Sequence, residues 1–220
     1  MRTLGVIPAR GGSKGIPRKN LAPLGGVPLL LHTIRAAQGA TLLDCTVVST
    51  DDDEIARVAR EAGAEVVERP SELAADDTPT EDALIHAVET VGSPEFVVTL
   101  EPTSPLRTAR LIDECIAAAL EGADAVVTVA ETRDVLGRVV DGRFEHLEPG
   151  QPRRRQLREA LYRELSTVYV TRTRHLLERR SVLADGARAV VVPDEEALDV
   201  NTDLDLAVAE ALLRRRSGGG

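Results

Sequence analysis

Residues 7–20, read Ile-Pro-Ala-Arg-Gly-Gly-Ser-Lys-Gly-Ile-Pro-Arg-Lys-Asn, constrain the fold more than any other stretch of this chain. The apolar run at residues 4–7 has the length of a buried strand, and it stops at Pro8. Gly11, Gly12 and Gly15 can take positive φ and let the backbone approach a ligand closely. Arg10, Lys14, Arg18 and Lys19 put four positive charges on the same loop. A glycine loop after a strand, with exposed N–H groups and converging cations, suits a polyphosphate. The loop fits neither the P-loop template nor the G-x-G-x-x-G of a dinucleotide site. The alternative is a surface turn with solvated cations. Against it, Lys14 and Lys19 are the only lysines among 27 Lys and Arg residues. Lys acts as a compact point charge where Arg acts as a planar fork.

The stretch resembles the nucleotide-binding signature of the acylneuraminate cytidylyltransferases, the CMP-sialic acid synthetase family. The resemblance implies a Rossmann-like α/β fold of the nucleotide-diphospho-sugar transferase type, with a mostly parallel sheet and helices on both faces. It also implies CTP as substrate, Mg²⁺ as cofactor, release of pyrophosphate, and a homodimer. On this reading Arg10, Lys14 and Lys19, with Ala9, Gly11, Gly12 and Ser13, hold the triphosphate, and Asn20 helps select cytosine.

Composition bounds the rest. A chain of 220 residues with 43% hydrophobic residues suits one α/β domain, here residues 1–216. Two Tyr, two Phe and no Trp leave little material for base-stacking platforms, and a net charge of −9 argues against a nucleic-acid surface. Cys45 and Cys115 are too few for a disulfide framework and read as buried small hydrophobes. The first apolar run ends at Pro8 and residues 27–31 are too short to span a bilayer, so a cytoplasmic protein without a membrane segment is expected.

The periodicity predicts helices at 28–37, 52–61, 78–90, 111–120 and 203–215, the third with Asp77 or Thr78 as N-cap. Strands are expected at 45–50, 64–68, 96–100, 123–130 and, buried, at 189–192. Asp52 and Asp53 read as capping residues, whereas Asp51 is left open between capping and the site. Residues 132–165 break the βα rhythm, with a hairpin at Asp141-Gly142, and match the family's dimerisation excursion. Residues 217–220 read as a disordered tail.

Further matches to the family follow in order. Arg69-Pro70, with Leu73 and Ala74, resembles an R-P-x-x-L-A segment whose Arg recognises cytosine, and Thr80 falls where a hydroxyl approaches the base. Glu101-Pro-Thr-Ser-Pro-Leu-Arg107 resembles a Q-P-T-S-P-L-R segment, with Glu for the usual Gln. An ionised Glu only accepts, so its charge opposes a carboxylated acceptor unless an Arg pairs with it. In the run 153–156, Arg155 and Gln156 are the candidate acceptor contacts, a solvated or interface-facing run being the equal alternative. Asp199 and Asn201 stand where relatives carry D-x-D-T, the two carboxylates holding Mg²⁺. Residues i and i+2 of an extended segment share a side, and an amide oxygen can still ligate Mg²⁺. Together these imply CMP transfer from CTP to a sialic-acid-like sugar acid. A different keto-deoxy sugar acid, a phosphonate, or a non-catalytic CTP-binding subunit are the alternatives.

Overall fold

A computed structural model describes residues 1–13 and 15–218. Seven strands form one sheet in the order β11-β7-β10-β6-β1-β4-β5. They are β1 (Thr3–Pro8), β4 (Cys45–Thr50), β5 (Glu65–Glu68), β6 (Phe96–Thr99), β7 (Ala125–Thr132), β10 (Leu161–Arg172) and β11 (Arg188–Val191). All neighbours pair in parallel except β10, which runs antiparallel to both β6 and β7. The expected α/β architecture is therefore present, with one reversed strand inserted into it.

Pleating sorts the apolar strand residues between two faces. Leu4, Val6, Val47 and Val97 join Leu84, Ile85 and Val88 of α3 (Thr80–Val91) and Leu176 of α5 (Thr173–Arg179). Ile7, Val48, Phe96 and Val98 face the other way. There they meet Ile34 of α1 (Leu29–Gly39), Ile55 of α2 (Asp53–Glu61) and Leu111 and Ile112 of α4 (Ala109–Leu120). A third cluster packs Ala209 of α6 (Asp203–Gly218) and Val200 against Ile16, Leu24 and Leu29. Leu24 lies in the small ribbon of β2 (Pro23–Leu24) and β3 (Val27–Pro28). This cluster brings the end of the chain against the cationic loop.

Several expectations shift in the structure. The third helix starts at Thr80, with Pro79 at its N-cap and no side-chain cap. Thr78 precedes a proline, which disfavours helical backbone there, so neither Asp77 nor Thr78 caps it. Asp52 does cap α2, accepting from Ile55 N–H at 2.9 Å. The last strand is an edge strand in which Val190 is buried and Val191 is 57% exposed. Cys115 is buried, but Cys45 only partly so. Helix α6 continues to Gly218, past the expected start of the tail, and residues 219–220 lie outside the described residues. The excursion holds β8 (Gly137–Val140) and β9 (Arg143–His146), turned by Asp141 and Gly142 at φ 50° and 75°.

One buried cation ties the loop after β6 to its surroundings. Arg107 is 4% exposed and donates to the backbone oxygens of Thr167 (2.6 Å) and Glu101 (2.7 Å) and to Thr33 Oγ1 (3.2 Å). Thr167 lies in a bulge of β10 between Leu165 and Tyr169, where Thr128 Oγ1 accepts from Val168 N–H at 3.1 Å. Burial pushes Arg107 down to about 10, which leaves it charged at neutral pH. Arg107→Ala should lower the unfolding free energy by about 3 kcal/mol or more, because three acceptors lose a charged donor. Arg107→Lys should recover less than half of the loss, since an ammonium lacks the fork. Urea unfolding measures both, and a loss below about 1 kcal/mol for the Ala variant contradicts the clamp.

Candidate active site

The loops after β1, β5 and β6 open at one edge of the sheet, around β1, where the connections diverge to either side. Open parallel sheets bind ligands at such a crevice. A cleft of about 470 Å³ lies there. Of the residues expected from sequence, it is lined by Arg10, Gly12, Ser13, Lys19, Asn20, Arg69, Thr80, Glu101 and Asn201. Ala9 is buried behind it, its N–H bonded to Ser49 O at 2.9 Å. The expected role of Lys14 lies outside the described residues.

The glycines serve the loop by close approach, and the described ones do not use positive φ as the sequence suggested. A Cβ at Gly15 would collide with the carbonyl oxygen of Asn201, and one at Gly11 would crowd the Asp52 carboxylate. Gly12 faces open space. Gly11 N–H donates to Asp51 Oδ1 at 3.0 Å, so Asp51 shapes the loop from behind.

The cations divide by what they meet. Arg18, itself at φ 50°, turns to the acidic start of α2, reaching Asp52 at 3.0 Å and Glu54 at 2.9 Å. Arg10 stays at the cleft and pairs with Asp76 at 2.6 Å. Lys19 Nζ donates to Val200 O and to Asn201 Oδ1, both at 3.0 Å. Both acceptors are neutral, so its charge stays available to an anion. Burial lowers its pKa, against the pull of the Asp199 and Glu101 charges.

On the other wall, Asn20 Nδ2 donates to Arg10 O at 2.9 Å. Arg69 is 8% exposed and donates to the carbonyls of Ser49 (3.2 Å) and Leu73 (3.5 Å), while its Nε is buried without a partner. Burial, with Arg10 nearby, lowers its pKa. Thr80 stands exposed at the start of α3.

Asp199 Oδ2 accepts from Asn201 Nδ2 at 2.5 Å, and Asp199 Oδ1 is buried with no partner. The two side chains meet, as their i, i+2 spacing predicts. An orphaned carboxylate oxygen beside a polyphosphate site fits a hard cation such as Mg²⁺. The Asn201 oxygen, which a cation would need, is taken by Lys19. Among the described residues no group of three His, Cys, Asp or Glu is gathered to hold a metal. Substrate oxygens would have to complete the coordination.

Arg155 and Gln156 are exposed on the excursion and are not part of the cleft lining, Arg155 lying 3.9 Å from Asp134. Sequence reasoning missed Asp76, Thr78 and Thr103, which the fold alone brings to the cleft.

Glu101 differs from the free carboxylate that the sequence suggested. Burial pushes its pKa up to about 7, opposed by Arg107 and reinforced by Asp199. Near neutral pH it is often protonated and can then donate as a Gln would. The folded pKa lies above the ordinary 4.5, so the Glu101 contribution to stability is full below pH 4.5 and lost as pH rises through about 7. Glu101→Gln should therefore gain on the parent between those values, by about 3 kcal/mol at alkaline pH. Urea unfolding at pH 5 and pH 8 reads the difference, and an equal difference at both contradicts it.

The fold and cleft define an α/β protein of the nucleotidyltransferase type. Its fold matches that of CMP:2-keto-3-deoxy-manno-octonic acid synthetase complexed with CTP, with a TM-score of 0.75 at 17% identity, over 98% of this chain and 100% of that one. A 4-diphosphocytidyl-2C-methyl-D-erythritol synthase from Anaerococcus prevotii matches with a TM-score of 0.71 at 16% identity, over 97% of this chain and 99% of that one. Residues 4–209 match the cytidylyltransferase family, and the chain belongs to it. It is 30% identical to the CMP-N,N'-diacetyllegionaminic acid synthase of Legionella pneumophila, covering 97% of each chain. It is 28% identical to the N-acylneuraminate cytidylyltransferase of Escherichia coli, over 99% of this chain but only 54% of that protein's length. These relatives support the resemblance read from the sequence.

Proposed function

We propose that this protein transfers CMP from CTP to a hydroxyl of an acidic nonulosonic sugar, releasing pyrophosphate. The observation that carries the reading is the cleft itself. The glycine backbone, Arg10 and Lys19 converge there on space for a triphosphate, and Asn201 of the same lining is bonded to Asp199, whose Oδ1 is buried without a partner. The names of the Legionella and Escherichia coli relatives supply the acceptor class.

The acceptor hydroxyl oxygen forms a bond to the α-phosphorus, the bond from that phosphorus to the α,β-bridging oxygen breaks with its electron pair leaving on pyrophosphate, and the hydroxyl proton is released to solvent. Such a displacement needs positioning and charge neutralisation more than covalent help. Arg10, Lys19 and the amides of Gly12 and Ser13 neutralise charge on the triphosphate, with Lys14 of the same loop, while the Gly11 amide, bonded to Asp51, shapes the loop. Asn20 and Arg69 select the base, and Thr80 contacts it. Arg69 presents donors to a ring whose O2 and N3 accept. Glu101, protonated for part of the time near neutral pH, opposes a carboxylated sugar less than an ordinary carboxylate would. Asp199 would hold a Mg²⁺ ion, which would supply charge stabilisation at the triphosphate.

A homodimer fits the excursion, where Val139, Phe144, Leu157 and Tyr162 are more than half exposed. Arg155 and Gln156 would then contact acceptor across the interface. No helix among the described residues is long and apolar enough to cross a membrane, and the reaction is assigned to the cytoplasm with its CTP. The alternatives are transfer to another keto-deoxy sugar acid or a phosphonate, or CTP binding without turnover, which Asn201 at the D-x-D position favours.

Pyrophosphate release with Mg²⁺, each of the four nucleoside triphosphates and a panel of sugar acids and phosphonates tests the reading. Release only with CTP plus a nonulosonic acid is expected. CTP binding without release for any acid contradicts catalysis. Lys19→Ala should lower kcat/KM by about 10²- to 10³-fold, the scale of one lost oxyanion donor. Unchanged release by that variant contradicts the role of the loop.

A further inference from the structure

We infer that Asn201 is a positioning residue that couples Lys19 to Asp199 and is not itself a cation ligand. The inference rests on the proposed CTP site. Asn201 accepts from Lys19 Nζ through Oδ1 and donates to Asp199 through Nδ2. The chemistry of the partners fixes the amide's orientation. An ammonium only donates and an ionised carboxylate only accepts, so the intervening side chain must do both. An amide meets that demand. A carboxylate at 201 would still accept from Lys19 but would face Asp199 with no donor between them, and the two like charges would repel.

The backbone around Asn201 is held from several directions. Its N–H and that of Thr202 both donate to Asp205 Oδ2, at 3.0 and 2.8 Å. Val200 N–H donates to Thr103 O at 2.8 Å, and the Val200 side chain is fully buried. Gly15, which no side chain could replace, abuts the carbonyl of Asn201. The amide is therefore presented from a fixed support, and it holds Lys19 over the cleft through a contact that itself needs no cation. Asp199 Oδ2 is engaged, so Oδ1, buried without a partner, is the oxygen left for a cation. In this chain the lysine and the carboxylate are set by protein alone.

CTP binding measured by calorimetry, once with EDTA and once with excess Mg²⁺, tests the assignment. The ratio of the two dissociation constants gives the cation's contribution. A positioning Asn201 predicts that Asn201→Ala weakens metal-free CTP binding about tenfold and leaves the Mg²⁺ ratio within threefold of the parent. It also predicts that Lys19→Ala/Asn201→Ala binds metal-free CTP no more weakly than Lys19→Ala alone, because both act through one ammonium. Asp199→Ala should collapse the Mg²⁺ ratio. If Asn201→Ala instead leaves metal-free binding intact and collapses the ratio, Asn201 is a ligand and the inference is wrong. A parent that binds no CTP in either condition overturns the proposed function as well, so the two failures differ. Asn201→Ser, too short to reach both partners, repeats the comparison if the Ala variant does not fold.

Discussion

A half-buried ammonium must be satisfied by oxygens without being neutralised by them, and that demand organises the cleft. Lys19 meets it with a backbone carbonyl and an amide oxygen contributed from 181 and 182 residues away in the chain. The contact exists because Val200 and Ala209 pack against Ile16, Leu24 and Leu29, which presses the C-terminal segment onto the loop. Gly15 allows the two backbones to meet. Apolar packing thus sets the position of a charge at the cleft.

The opposite side of the cleft depends on a reversed strand. β10 pairs with β6 and β7 in the antiparallel sense, and its bulge directs the Thr167 carbonyl to Arg107. Through Arg107 the same bulge fixes the carbonyl of Glu101 and hence the floor of the cleft. The reversed strand, the bulge and the buried guanidinium act as one support. Burial that stabilises this support also keeps Glu101 from holding a full negative charge near neutral pH.

Much of this was legible in the sequence because it is local. Short apolar runs ending in Pro, Asp or Glu marked the strands, and glycines with cations marked the loop that lines the cleft. Asp52 could be read as a cap because capping needs only a side chain and an N–H three residues on. What escaped depends on chain returns that no local pattern encodes. The diversion of Arg18 to α2, the tie between Asn201 and Lys19, and the three-way grip of Arg107 are of this kind. The glycines misled in one respect, since a required glycine can reflect crowding by another backbone as well as a left-handed turn. In the D-x-N segment, spacing reveals the shared side of Asp199 and Asn201 but not their third partner, Lys19.

The most direct test is the crystal structure of the protein with CTP. This account places the triphosphate against the Gly12 and Ser13 amides, within hydrogen-bonding distance of Lys19 Nζ, and the cytosine beside Asn20 and Arg69. Lys19 should remain on Asn201. A nucleotide seated elsewhere, for instance on the exposed arginines of residues 153–155, would contradict the account.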